Sequence, residues 1–276
     1  MLGLRRFKEI QPFPAMHFAR INGHTIHYKF LQCNSKGAKS LLFINALGTD
    51  LRIWDDVAEH MKGKCNIILF DKAGHGLSET TEIKNGLHDY VADAISLMDL
   101  LKVQKCTIVG LSVGGMIALL LAHRYSERIE QLILCDTRHI IGTIDSWNIR
   151  IDQVKSAGVQ NIADAVMSRW FPATFHTSHA EIVQGCKNML QRNAPEGYIQ
   201  CCQAIQKSDL TDVAGKVRQP CLIIVGSEDG STPPDDVRSL HELMPGSKFV
   251  IMNGSGHIPC VDNPEALSKL IADFIK

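Results

Sequence analysis

The sequence predicts an α/β fold, a mostly parallel central sheet flanked by helices, with one helical segment inserted after the sixth strand. Short continuous apolar runs such as LLFIN (41–45) and CLIIVG (221–226) suit strands buried on both faces, as in parallel sheets. Between these runs, apolar residues recur at helical spacing. At 109–123, VGLSVGGMIALLLAH, one serine stands among three glycines where a strand gives way to a helix. Glycine inside an element costs roughly 0.5–1 kcal/mol relative to alanine, so the cluster answers a geometric need.

Taken in order, FARINGHTIHYKF has the Asn22-Gly23 turn and the alternating Ile26, Tyr28 and Phe30 of a hairpin. LLFIN, NIILF (66–70), TIVGL (107–111), LILC (132–135), CLIIVG and KFVIM (248–252) follow as buried strands. Leu87, Tyr90, Val91, Ala94, Met98 and Leu101 mark one helix; Leu267, Leu270, Ile271 and Phe274 mark the last, with Pro264 at its tolerant start. The alternation breaks once, between Cys135 and Cys221, where the pattern stays helical and holds Trp147 and Trp170. The expected organisation is therefore a core formed by 1–137 and 210–276, with 138–209 as a helical cap, or lid.

Composition excludes several classes. With 29 basic and 29 acidic residues the formal charge is zero, which offers no attraction for nucleic acid or an anionic membrane. No apolar run approaches the ~20 residues of a membrane span, and MLGLRRFKEIQPFP lacks a signal-peptide apolar core. A cytoplasmic protein is the expectation. Nine cysteines without a CxxC fit it as reduced small hydrophobes, the adjacent Cys201 and Cys202 included. Oligomeric state is not legible here.

The serine now has a context. Gly110-Leu111-Ser112-Val113-Gly114 matches G-x-S-x-G, a pattern of little weight alone but specific between a strand and a helix. Such a turn lifts the hydroxyl out of the sheet and aims the first N–H groups of the helix at whatever it attacks. The alternative is a glycine-rich helix start with an N-capping serine. A serine nucleophile needs a base and an orienting acid, on later strands in the order Ser, Asp or Glu, His. Asp229 follows CLIIVG in GSEDGSTPP, and His257 follows KFVIM in NGSGHIP. Glu228 and Asp136 are competing acids. For the oxyanion, the expected donors are the N–H groups of Val113 and of Leu47, in the loop after LLFIN, where Asn45 and Asp50 read as turn residues. These features add up to an α/β-hydrolase, a serine hydrolase without metal or organic cofactor.

Over nearly the whole chain, from about 18 to 275, the sequence resembles the 3-oxoadipate enol-lactonases. Its common motifs are DKAGHGLS, GLSVGG and GSGHIP. More specific are NALGTDLRIWD (45–55), IGTIDSWNIRIDQVKSAGVQNIADAVMSRWF (141–171) and GYIQCCQAIQKSDL (197–210). One departure is Ala73, where D-x-R-G-x-G-x-S has arginine. The resemblance implies a small-molecule substrate, a five-membered enol lactone bearing a carboxymethyl group. An anionic substrate calls for a cation in an apolar pocket, and the cap offers Arg138, Arg150, Arg169 and Arg192, with Trp147 as an expected contact.

Other readings share the triad. Within the fold these are general carboxylesterases, C–C bond hydrolases and cofactor-free perhydrolases; from another class comes a lid-gated ligand receptor. A haloalkane dehalogenase would carry a carboxylate at position 112. Metal binding has little support. His24 and His27, three apart on a strand, face opposite sides, and His176 and His179 lack a third ligand.

Overall fold

A computed structural model describes residues 16–35 and 37–276; the charged stretch MLGLRRFKEIQPFP lies outside the described residues. Eight strands form one sheet: β1 His17–Ile21, β2 His24–Leu31, β3 Ser40–Ile44, β4 Asn66–Phe70, β5 Cys106–Leu111, β6 Ile129–Cys135, β7 Cys221–Gly226 and β8 Lys248–Met252. Their order is β1-β2-β4-β3-β5-β6-β7-β8. Only β2 runs against its neighbours, facing β1 through Ile21↔His24 and β4 through Phe30↔Ile68. From β4 onward the pairs are parallel, as the apolar runs predict.

Burial explains the strand compositions. β3, β5 and β7 are buried at every residue, so no alternation of polar and apolar positions is tolerated there. KFVIM departs from the expectation of burial on both faces. As β8 it is an edge strand, with Lys248 and Ile251 exposed. The helix Val113–Arg124 is buried from Val113 to Ala122, which is why its sequence is apolar all round. Leu87–Leu100 and Pro264–Phe274 present narrower apolar faces, and Pro264 opens the second of them.

Between β6 and β7 lie the helices Ile144–Ala157, Ala163–Trp170, Ala173–Ser178, Ala180–Gln191 and Pro195–Gln206. This insertion is fastened to the sheet by main-chain bonds. His257 N–H donates to the Trp170 carbonyl (2.8 Å) and Gly230 N–H to that of Arg169 (3.1 Å), while a bond from Leu210 N–H to the His139 carbonyl (3.0 Å) ties the two ends of the insertion together. Asn193 adds a side-chain bond to the Gly48 carbonyl (2.9 Å). All nine cysteines are free, eight of them buried. Among the described residues no helix is long and apolar enough to cross a membrane.

Candidate active site

β5 ends at Leu111, and the next residue, Ser112, has φ 57° and ψ −120° before the helix begins at Val113. A non-glycine residue held there costs about 1–3 kcal/mol, so the surroundings must impose it. They do so by close approach. A Cβ on Gly110 would overlap the Gly114 carbonyl, and one on Gly114 would overlap the Ile44 carbonyl. Ser112 is held from β6 as well: its N–H donates to the Cys135 carbonyl (2.9 Å), and its carbonyl accepts from Thr137 Oγ1 (2.6 Å). The glycine cluster thus locks a turn that places Ser112 in the wall of a cavity.

Asp229 and His257 come from the loops after β7 and β8. Asp229 accepts four hydrogen bonds, from Ser231 N (2.7 Å), Thr232 N (3.0 Å), Thr232 Oγ1 (2.7 Å) and His257 Nδ1 (2.9 Å). Burial alone would push its carboxyl up, but His257 and the Thr232 bonds outweigh burial and hold it below the usual range. A carboxylate only accepts, so Nδ1 carries the proton in that bond and Nε2 is the ring nitrogen that Asp229 leaves free.

Of the competing acids, Glu228 is exposed. Asp136 is fully buried beside the pair, with a carboxyl oxygen within 4.8 Å of Asp229 and His257 ligand atoms. It accepts one bond, from Gly226 N–H (2.8 Å). Burial, first, and the neighbouring Asp229 push the Asp136 carboxyl well above its ordinary value, which favours its neutral form. With the Asp229 oxygens already occupied by four donors, the trio reads as a hydrogen-bonded pair with a buried neighbour rather than a cation cage.

Ser112 and His257 line one cavity of about 200 Å³, together with Leu47, Trp147, Arg150 and Arg169. Val113 opens its helix, so its N–H lacks an intrahelical acceptor. Leu47 sits in the loop after β3, which Asn45 and Thr49 bind together internally. Above them, Trp147 donates Nε1–H to the Ile141 carbonyl (2.6 Å), and the Arg150 guanidinium lies 5.3 Å from the Trp147 ring centre. Arg169 is half-buried; burial, reinforced by Arg150, moves its guanidinium down from the ordinary value. Among the described residues neither Arg150 nor Arg169 has a carboxylate partner.

Residues 39–264 match the model of the alpha/beta hydrolase fold family. The chain belongs to that family. The solved enol-lactonase from Burkholderia xenovorans LB400 is 30% identical to this hydrolase, with a TM-score of 0.90 over 94% of this chain and 99% of that one. Two 3-oxoadipate enol-lactonases of Acinetobacter baylyi are 29% and 27% identical, over 95% and 87% of this chain and 98% and 90% of theirs. The likeness is to lactone hydrolases over the whole fold, as the cap motifs imply.

The hydrolase brings six of its sequence-expected site residues, Ser112, His257, Leu47, Trp147, Arg150 and Arg169, into a single lining, with Val113 and Asp229 directly behind. Two of the four cap arginines lie elsewhere. Arg138 is ion-paired to Asp236 (2.9 Å) outside the cavity, because the chain has not yet entered the first cap helix. Arg192 is exposed and lines a separate cleft with Asp50 and Arg52. Asn45 and Asp50 are turn residues, Asp50 accepting from Arg52 N–H (3.0 Å). His24 and His27 bind Asp93 and Asp71 respectively. Sequence reasoning missed Tyr198, whose phenol lines the cavity, and Thr232, which steadies Asp229. Thr232 had a signal, since GSTPP places a hydroxyl three residues after the acid.

Proposed function

We propose that this hydrolase opens a small carboxylated enol lactone, 3-oxoadipate enol-lactone to 3-oxoadipate, through an acyl-enzyme on Ser112. The observation that carries the reading is the pair of guanidiniums, Arg150 and Arg169, in the lining that also holds Ser112 and His257. Two cations without carboxylate partners in a half-enclosed site favour an anionic substrate. The enol-lactonase relatives act on a substrate of that chemistry.

In this reading His257 Nε2 takes the Ser112 Oγ proton as Oγ adds to the lactone carbonyl. The N–H groups of Leu47 and Val113 hold the oxyanion. Collapse breaks the ring C–O bond, and the enol leaving group is protonated and becomes a ketone, which makes the opening hard to reverse. Water, deprotonated by His257, then releases the linear oxo-diacid and restores Ser112.

The test follows loss of the lactone's ultraviolet absorbance beside a panel of p-nitrophenyl esters. The expected kcat/KM on the lactone is ~10⁴ M⁻¹s⁻¹ or more, far above the esters, and Ser112→Ala is expected to remove it. Good ester turnover with negligible lactone turnover would keep the serine hydrolase and reject the substrate.

A further inference from the structure

Lysine is among the residues least often buried, yet the Lys72 side chain, in the loop after β4, is wholly inside the protein. Its Nζ donates to the Asn45 carbonyl (2.9 Å) and the Ala46 carbonyl (3.0 Å), both in the loop that carries Leu47. Among the described residues no carboxylate lies within ion-pair distance of it.

The charged and titratable groups around it are accounted for. On its own loop, Asp71 is occupied by His27 Nδ1 and by the N–H groups of Leu51 and Leu77. His75, also there, is driven well down by burial and by the Lys72 charge, so it is a neutral imidazole. Asp50, on the Leu47 loop, is paired with Arg52. From the helix Pro195–Gln206 comes Cys201, whose thiol burial pushes up, with the Tyr90 phenol beyond it. The ammonium is therefore compensated chiefly by two carbonyl dipoles.

One of these dipoles matters for chemistry. The Ala46 carbonyl and the Leu47 N–H belong to the same peptide unit, and in a trans peptide they point in opposite directions. A cation gripping the oxygen therefore turns the N–H away from itself. It also draws electron density from the amide, which makes that N–H a stronger donor. Thr49 N–H and Oγ1 donate to the same oxygen (3.4 and 3.0 Å), so the unit is held from three sides.

We propose that Lys72 is a positioning residue for the oxyanion: its ammonium orients and polarises the Ala46–Leu47 peptide so that the Leu47 N–H meets the negative oxygen of the tetrahedral intermediate. The proposal rests on the acyl-enzyme reading above. Burial moves the Lys72 ammonium down to about 8. Charge-assisted hydrogen bonds are roughly twice as strong as neutral ones, so loss of the proton weakens the grip. The stabilisation is present below that pH and fades above it. It acts on the transition state, where the oxygen is charged, and leaves substrate binding almost untouched.

The experiment compares the wild type with Lys72→Met, of similar length and without charge, from pH 6 to 10. Wild-type kcat should fall on the alkaline side with a midpoint near 8. In the variant that fall should vanish, kcat below pH 8 should drop about tenfold, and KM should stay within about twofold; outright loss of an oxyanion donor costs ~10²–10³. Affinity for a trifluoromethyl ketone, which forms the tetrahedral oxyanion, should drop by the same factor while a carboxylate competitor binds as before. If the variant does not fold, the wild-type trifluoromethyl ketone affinity relative to the carboxylate competitor, measured across the same pH range, decides alone. A wild-type profile flat from pH 7 to 9.5, or wild-type kcat in Lys72→Met with Ser112→Ala inactive, overturns the role of Lys72 and leaves the acyl-enzyme reading standing. Full lactone turnover by Ser112→Ala overturns both.

Discussion

Ser112 and Arg169 line the same cavity but are held in place by different means. Around Ser112, main-chain atoms pack so closely that a single added carbon at Gly110 or Gly114 overlaps a carbonyl. Asp229 and His257 are pinned by hydrogen bonds of 2.7–3.0 Å. In the cap, Arg150 and Arg169 ride on helices whose outer faces are exposed, and their head groups are steered by Trp147, Tyr198 and their own repulsion. The floor therefore tolerates almost no local change, whereas the roof is built from replaceable side chains. Chemistry is expected to depend on the first and substrate choice on the second.

Substitutions can separate the two. The largest effect is expected for Asp229→Asn, which keeps the shape but favours the wrong His257 tautomer: kcat should fall about 10⁴-fold on lactone and esters alike. A lactone-only loss would mean that the floor also selects substrate. Next, Arg150→Ala and Arg169→Ala should each lower kcat/KM for the lactone by about 10–100-fold, the worth of a charged hydrogen bond, with uncharged p-nitrophenyl esters nearly unaffected. Equal losses on both substrates would assign the arginines to packing. The smallest change is expected for Asp136→Asn. Since burial and Asp229 push the Asp136 carboxyl up, an amide that keeps the acceptor for Gly226 N–H is expected to replace it, and steady-state kcat should stay within about threefold of wild type. A drop comparable to Asp229→Asn would show that a charged Asp136 is required.

The same contrast governs what could be read beforehand. Five central strands were legible because two-sided burial leaves only apolar side chains, the hairpin because of its Asn22-Gly23 turn and alternation, and the elbow because its backbone admits few residues at 110, 112 and 114. The reading of KFVIM went astray because an edge strand and a central strand can share composition when helices cover part of the edge. In the cap, helical spacing says that Arg138, Arg150, Arg169 and Arg192 are available but not which way each turns. That depends on how five helices pack on one another. Lys72 was invisible for a related reason: a lone lysine in a loop reads as solvated, and only the fold reveals that carbonyls surround it.

The bonds from His257 N–H to Trp170 and from Gly230 N–H to Arg169 join roof to floor through carbonyls and amides alone. Every amino acid except proline brings the same two groups to such a stitch. Side chains at 169 and 170 can therefore be exchanged by mutation without letting go of the loops that carry Asp229 and His257. A lineage is free to try new substrates at the roof while its inherited chemistry stays in register, one residue at a time.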